Sequence, residues 1–482
     1  MHLGIDLGTS ELKLLLLDDD HQIIGTAHEP LPINRPQPLW SEQNPEDWWH
    51  ALQRAMGTLV SSHPAALAQV RDIGLSGQMH GAVLLDEQGE VLRPAILWND
   101  GRASAECEQL AAHPALLAHT GNLAMPGFTA PKLLWVREHE PALFARVRTV
   151  LLPKDWLRFR LSSACISEMS DASGTLWLDV GRRDWSEDML AATGLSRDQM
   201  PSLVEGSEPG ARLLPELAQR WGMTDQVLIA GGGGDNAASA IGISAISPGQ
   251  GFVSLGTSGV IFVVTERFSP NRGKAVHAFC HALPGQWHQM SVMLSAASAV
   301  SWAAQAFGFA DVPSLLGRAA NCSQTERQRA PLFLPYLSGE RSPHNDAHAQ
   351  GVLFGLNASH GPAALAYAVV EGVSFGLRDG LDTLVAPSSL ILTGGGARSD
   401  WWSQLLANVL QVPLMKVTGG ETGGALGAAR LGWLAGGGEL AEVCPPPEAL
   451  KIFEPDTTQA GMLGERLTRF RRLYPAMRDI WV

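Results

Sequence analysis

Residues 2–17 read HLGIDLGTSELKLLLL, and residues 251–265 read GFVSLGTSGVIFVVT. Each is an apolar strand, a Gly-Thr-Ser turn and a second apolar strand. The tetrapeptide LGTS recurs at Leu7–Ser10 and Leu255–Ser258, half a chain apart. Four matching residues alone mean little. With the same flanking strands, they predict two related halves, each opened by the same loop. The joint falls in ISAISPGQ at 243–250, a Gly/Ser/Pro-containing stretch, which sets the expected domains at 1–245 and 246–482. Amphipathic helical segments alternate with the strands, as in PEDWWHALQRAM at 45–56, where Pro45 suits a first helical turn. The fold class is therefore α/β.

A chain of 482 residues has room for two or three domains, and 45% hydrophobic with 17% charged residues is an ordinary globular composition. The formal net charge of −13 argues against non-specific nucleic-acid binding and against an anionic membrane surface. LKLLLL, at 12–17, is too short to span a bilayer, and no basic, apolar, cleavable leader stands at the N-terminus. Five scattered cysteines do not make a disulfide framework. The expected compartment is the reduced cytoplasm.

The paired loops read as phosphate cradles. Gly8 and Gly256 lack a Cβ, so an oxyanion can approach the backbone N–H groups closely. Thr9, Ser10, Thr257 and Ser258 add hydroxyls, and Lys13 offers a point charge. A lone loop of this kind is as often a structural turn; the pair favours a polyphosphate held from two sides. Asp6 ends the first strand beside the first loop. A carboxylate there is repelled by phosphate unless a cation lies between, which points to Mg²⁺ held largely through water.

IAGGGGDNAASAIG, at 229–242, reads as a strand, a glycine run and a helix of small residues. Asp235 or Asn236 suits a helix N-cap, but a cap needs no run of four glycines. The expectation is that substrate or phosphate packs on Gly231–Gly234. Asp235 would then accept the proton of an attacking hydroxyl, with Asn236 bonded to the same sugar. LILTGGGARSDWW, at 390–402, is a third Gly-rich strand-to-helix turn, suited to lie under a nucleotide. HAFCH, at 277–281, lacks a second ligand pair, so no metal is expected there.

These segments carry a resemblance. GIDLGTS at 4–10, PLWSEQNPEDWW at 38–49, GLSGQMHGAVLLD at 74–86, RPAILWNDGR at 93–102 and FLPYLSGERSPHND at 333–346 resemble the FGGY family of carbohydrate kinases. That family sits within the actin-like and Hsp70-like ATPase superfamily. The resemblance covers most of the chain and thins beyond about Pro445. It implies two actin-like (ribonuclease H-like) ATPase domains with the active site in the cleft between them. It also implies transfer of phosphate from ATP, with Mg²⁺, to the C5 hydroxyl of D-xylulose.

By motif, Asp235 matches the catalytic base and Asp6 the metal-serving acid. Met79, His80, Asn236, Trp98 and Asp100 match the sugar side. Gly394, Gly395 and Ala397 match the adenosine side. A homodimer is the family expectation. Another pentulose or a polyol is the alternative substrate, since one hydroxyl can decide recognition. A non-catalytic ATP-binding module is the other alternative, disfavoured by the Gly-flanked GQMHG at 77–81. Three positions depart from the pattern: Glu11 where glycine is usual, one extra glycine before Asp235, and Glu421 where aspartate is common.

Overall fold

A computed structural model describes residues 1–420 and 423–481; the departure at Glu421 lies outside the described residues. These residues form two seven-stranded sheets. The first contains β1 (His2–Leu7), β2 (Glu11–Leu17), β3 (Ile23–Pro30), β4 (Asp72–Gly77), β5 (Pro209–Arg212), β6 (Leu228–Ala230) and β7 (Gly233–Gly234), in the order β5-β6-β4-β1-β2-β3, with β7 also on β4. The second contains β8 (Gly251–Leu255), β9 (Gly259–Thr265), β10 (His277–Cys280), β11 (Trp287–Met293), β12 (Leu390–Thr393), β13 (Leu414–Val417) and β14 (Ala449–Phe453), in the order β10-β11-β9-β8-β12-β13-β14.

Reading outward from the LGTS strand makes the relation plain. In the first sheet β3-β2-β1 are antiparallel, then β1, β4 and β6 run parallel. In the second, β11-β9-β8 are antiparallel, then β8, β12 and β13 run parallel. The repeat expected from one tetrapeptide extends to five strands with the same order and directions.

The leucine run of β2 shows why the first sheet forms as it does. Leu12, Leu14 and Leu16 pack with Trp48, Leu52 and Met56 of α1 (Pro45–Ser62). Leu15 and Leu17, on the opposite face, pack with Ala237 and Ile241 of the helix Asp235–Gly242 and Ala425 and Ala429 of the helix Gly423–Ala435. A strand covered on both faces is apolar at every position, so alternation is lost. Helix α1 begins with Asn44 accepting the Glu46 N–H and Pro45 in the first turn. The site is positioned by α2 (Pro153–Ser162), α3 (Met169–Ser173), α4 (Asp235–Gly242), α5 (Ala297–Ala306), α6 (Val312–Ala320), α7 (Pro362–Leu381), α8 (Asp400–Leu410) and α9 (Gly423–Ala435).

Helix α9 lies in the second half by sequence but packs across β1 and β4 of the first sheet. A Cβ on Gly4 would lie 2.0 Å from the Ala425 carbonyl oxygen, and one on Gly74 1.8 Å from that of Ala428. Gly427 crosses α4 so closely that a Cβ would lie 1.7 Å from the Ala238 carbonyl oxygen. The two halves are thus joined at their centre by helices in backbone contact. No methyl can enter there without moving main chain.

The same reasoning corrects the expectation for the glycine run. A Cβ on Gly231 would meet the Glu205 carbonyl oxygen at 2.2 Å, and one on Gly232, at φ 82°, the Leu75 carbonyl oxygen at 2.3 Å. Gly233 and Gly234 pair in parallel with Ser76 and Gly77. At Gly231 and Gly232 the absent side chain admits the protein's own backbone, and at Gly234 it admits the Met79 side chain. Among the described residues, no helix is long and apolar enough to cross a membrane.

Candidate active site

Two buried carboxyls, Asp6 and Asp235, lie near enough for the charge of the first to act on the second. Asp6 ends β1, opposite Ser76 on β4 and Lys13 on β2. The start of α9 packs against it: a Cβ on Gly424 would lie 2.6 Å from Asp6 Oδ2. Burial pushes the Asp6 carboxyl up, opposed by the nearby Ser76 hydroxyl and the charge of Lys13. Asp235 opens α4, with Gly234 as the N-cap, so neither Asp235 nor Asn236 is the cap itself. Its Oδ1 accepts from Asn236 N at 2.7 Å and Asn236 Nδ2 at 2.9 Å. Burial, joined by the charge of Asp6, raises its pKa to about 6. Two such carboxyls, each costly as a bare anion, form a place where a divalent cation fits.

On the sugar side, Met79 packs against the glycine run: a Cβ on Gly234 would lie 2.9 Å from its sulfur. His80 has a left-handed backbone, φ 70°. Its Nδ1 donates to the Gly174 carbonyl at 2.8 Å, and burial lowers its pKa to about 3. The neutral ring therefore keeps Nε2 as an acceptor. Its own carbonyl accepts from Thr129 Oγ1 and, at 2.9 Å, from the buried Lys132 Nζ. Trp98 is 42% exposed, and its indole N–H donates to Thr9 Oγ1 at 2.9 Å.

Asp100 does not join the sugar side. It is 2% exposed, and its carboxylate is used up by Ser41 N, Arg102 N and the Arg102 guanidinium. Arg102 also pairs with Glu42 and stacks on Trp40. Asp100 holds the segment carrying Trp98 in place from behind.

The first LGTS loop is bound to its own side of the cleft. Thr9 Oγ1 donates to Gln78 Oε1 at 3.1 Å while accepting from Trp98, and Thr9 O accepts from Gln43 Nε2 at 2.7 Å. That hydroxyl is spoken for, contrary to its expected role as a phosphate donor. Ser10 is exposed. Lys13 pairs with Glu11 at 2.9 Å, so the unusual carboxylate at Glu11 is neutralised within the hairpin.

The second loop opens on a cavity of 710 Å³, which Gly256 and Thr257 line with Ser301 of α5, Gly317 of α6, Gly395 and Trp401. Its lining is mainly apolar, which suits a planar base. A second cavity, of 390 Å³, lies beyond Gly395 and is lined by Asn236, Ser239, Ser254, Gly394 and Gly424. Gly395 borders both, so a nucleotide would run from one to the other past this turn. Gly394, at φ 83°, is where the strand β12 turns sharply over Leu255. Ala397 lines neither of these cavities: it is buried in the second core and borders a separate space beside Lys416. Asn236 faces the nucleotide side as well as Asp235.

Sequence reasoning missed what holds Asp235. Ser170 of α3 accepts from Gly234 N at 3.0 Å and donates to Glu168 Oε1 at 3.0 Å. The Arg158 guanidinium of α2 donates to the Gly231 carbonyl. Lys154 binds Asp155, Glu168 and Asp171, at 2.9, 3.2 and 2.9 Å, all fully buried. Two cations meet three carboxyls, and burial pushes the Asp171 carboxyl up, opposed by the Lys154 charge. LLPKDWLR and EMSDAS contain these residues, but only the fold places them behind the glycine run. The α5 and α6 walls of the larger cavity carried no sequence signal either.

The family model described as "FGGY family of carbohydrate kinases, N-terminal domain" matches residues 1–242, and that for the C-terminal domain matches residues 251–436. The chain belongs to the FGGY family of carbohydrate kinases. It is 52% identical to the xylulose kinase of Escherichia coli (strain K12), over 98% of each chain. It is 49% identical to the xylulose kinase of Klebsiella pneumoniae, over 100% of each. A crystal structure described as a xyloylose kinase from Brucella ovis superposes with a TM-score of 0.96, at 48% identity and over 99% of each chain.

Proposed function

We propose that this chain transfers the γ-phosphoryl group of ATP to the C5 hydroxyl of D-xylulose, giving D-xylulose 5-phosphate and ADP. The observation that carries the chemistry is Asp235: a carboxyl poised near pH 6, close to Asp6, whose neighbour Asn236 lines the 390 Å³ cavity. The substrate rests on the full-length likeness to curated xylulose kinases.

Asp235 accepts the C5 hydroxyl proton as the new oxygen–phosphorus bond forms and the bond to the ADP oxygen breaks. Asn236 donates to Asp235 Oδ1 and leaves Oδ2 to face the hydroxyl. His80, neutral, accepts from a sugar hydroxyl through Nε2, and Trp98 forms a wall of the bay. The nucleotide base lies between α5, α6 and Trp401, with the phosphates running past Gly395 toward Asn236. Asp6 would hold Mg²⁺, which when bound would neutralise charge on the transferring group. All five cysteines are free thiols, in keeping with a cytoplasmic location, and a homodimer belongs to the proposal on family likeness alone.

The test is ADP release from MgATP in the presence of D-xylulose, L-xylulose, D-ribulose, L-ribulose, xylitol, glycerol or no sugar. The expected result is turnover strongest with D-xylulose. Preference for another sugar would keep the mechanism and reassign the substrate. Absence of sugar-dependent turnover would overturn the kinase reading.

A further inference from the structure

Arg341 is a half-buried cation beside the two histidines His80 and His277. Its loop is stapled to the second sheet: Glu340 and Asp346 exchange backbone hydrogen bonds, each at 2.8 Å. Ser342 N donates to the Val292 carbonyl and Ser342 Oγ to that of Ala275. This fixes Arg341 near His277, at the start of β10. The His277 ring lies 5.3 Å from Phe128, and Phe128 lies 4.5 Å from His80. The charge of Arg341 acts on both histidines, which are neutral, but not on Asp235 or Asp6.

Glu340 next door lends Arg341 its charge but no hydrogen bond to the guanidinium. Glu340 Oε1 turns back to Leu294 N and Arg341 N, and burial pushes this carboxyl up to about 8. Among the described residues, the half-buried Arg341 guanidinium makes no hydrogen bond, ion pair or ring contact. A guanidinium offers five N–H donors in one plane, and withdrawing them from water is costly unless something accepts.

The proposed sugar supplies that acceptor. Resting on the functional reading above, C5 lies at Asp235 and the chain passes Met79 toward His80, so C1 and C2 point away from the reacting end. We infer that Arg341 donates to the C2 carbonyl oxygen and C1 hydroxyl of the ketose, and so selects a 2-ketose over the matching polyol. A carbonyl presents two in-plane lone pairs to the planar fork. The C2 hydroxyl of a polyol brings a proton that a guanidinium cannot accept.

The experiment compares KM for D-xylulose with the inhibition constant of xylitol, in the native enzyme and in Arg341→Gln and Arg341→Lys. Losing a hydrogen bond to a charged donor predicts that Arg341→Gln raises KM for D-xylulose roughly 10- to 100-fold. The xylitol constant rises by a smaller factor, because the polyol shares only the C1 hydroxyl contact and offers a tetrahedral hydroxyl at C2 where the ketose has its planar carbonyl. Arg341→Lys falls between, keeping the charge without the planar pair of donors. ADP affinity, measured by calorimetry on each variant, stays as in the native enzyme and shows that the variant is folded. Variants with KM within about twofold of native, or with D-xylulose and xylitol weakened equally, overturn the inference. No turnover of D-xylulose by the native enzyme overturns the functional reading, and this inference with it.

Discussion

The two LGTS loops share four residues and a strand context, yet the structure uses them differently. In the first, the Thr9 hydroxyl is pinned between Gln78 and Trp98, and its carbonyl is held by Gln43. In the second, only carbonyls are engaged: Gly256 O accepts from Ala297 N, and Thr257 O from Ala296 N and Ser298 Oγ at the start of α5. The Thr257 side chain is exposed over the 710 Å³ cavity. The first loop is therefore a joint that ties Gln78, Trp98 and Gln43 together, and the second lines the cavity that the proposal gives to the nucleotide. Shared ancestry of two loops predicts shared backbone shape, not shared duty.

The largest expected effect lies where the two sides meet. Asp235→Ala lowers kcat by about 10³- to 10⁴-fold, the loss typical of a removed general base, with ADP affinity unchanged. Steady-state kinetics with calorimetry checks both. Next comes the contrast between the loops. Thr9→Val breaks two hydrogen bonds and lowers kcat/KM for the sugar roughly 10-fold or more, whereas Thr257→Val shifts KM for ATP by about threefold or less. Equal effects at the two positions would break the comparison.

A similar loss, of roughly 10-fold in kcat, follows Ser170→Ala, which leaves Gly234 N–H without its acceptor behind the base. The distinguishing readout is a shift of the acid limb of the pH profile with sugar KM unchanged. The smallest effect is on stability. The folded protein holds the Asp235 proton up to about pH 6, above the unfolded value of 3.8. This carboxyl therefore stabilises the fold less as pH rises from about 4 to about 6, and the loss persists above that. Thermal scans should place Asp235→Asn a few degrees above native at pH 7.5 and level with it near pH 4.

What could be read in the sequence was whatever is local. The LGTS repeat disclosed the paired sheets because strand, turn and strand lie within sixteen residues. Asp6 and Asp235 were legible because each abuts a Gly-rich turn at a strand end. The misreadings arose from partners distant in sequence. Gly231 and Gly232 are glycines because of Glu205 and Leu75. Asp100 is consumed by Arg102 and by Ser41, 59 residues away. Ala397 is turned into the second core. The ionic cluster behind Asp235 joins α2 and α3 to a loop some 70 residues on, and no periodicity announces it. The extra glycine before Asp235 is accommodated by pairing with β4 and leaves Asp235 within reach of the charge of Asp6.

The central claim is that Asp235 is a base whose pKa the fold has lifted into working range. The most direct measurement is kcat/KM for D-xylulose at saturating MgATP from pH 5 to 8, in the native enzyme. The account predicts an acid limb with slope one, inflecting near pH 6 and flat above about 7. A profile that is flat down to pH 5 would contradict it, because a carboxylate with its ordinary pKa would then be doing the work, or none at all.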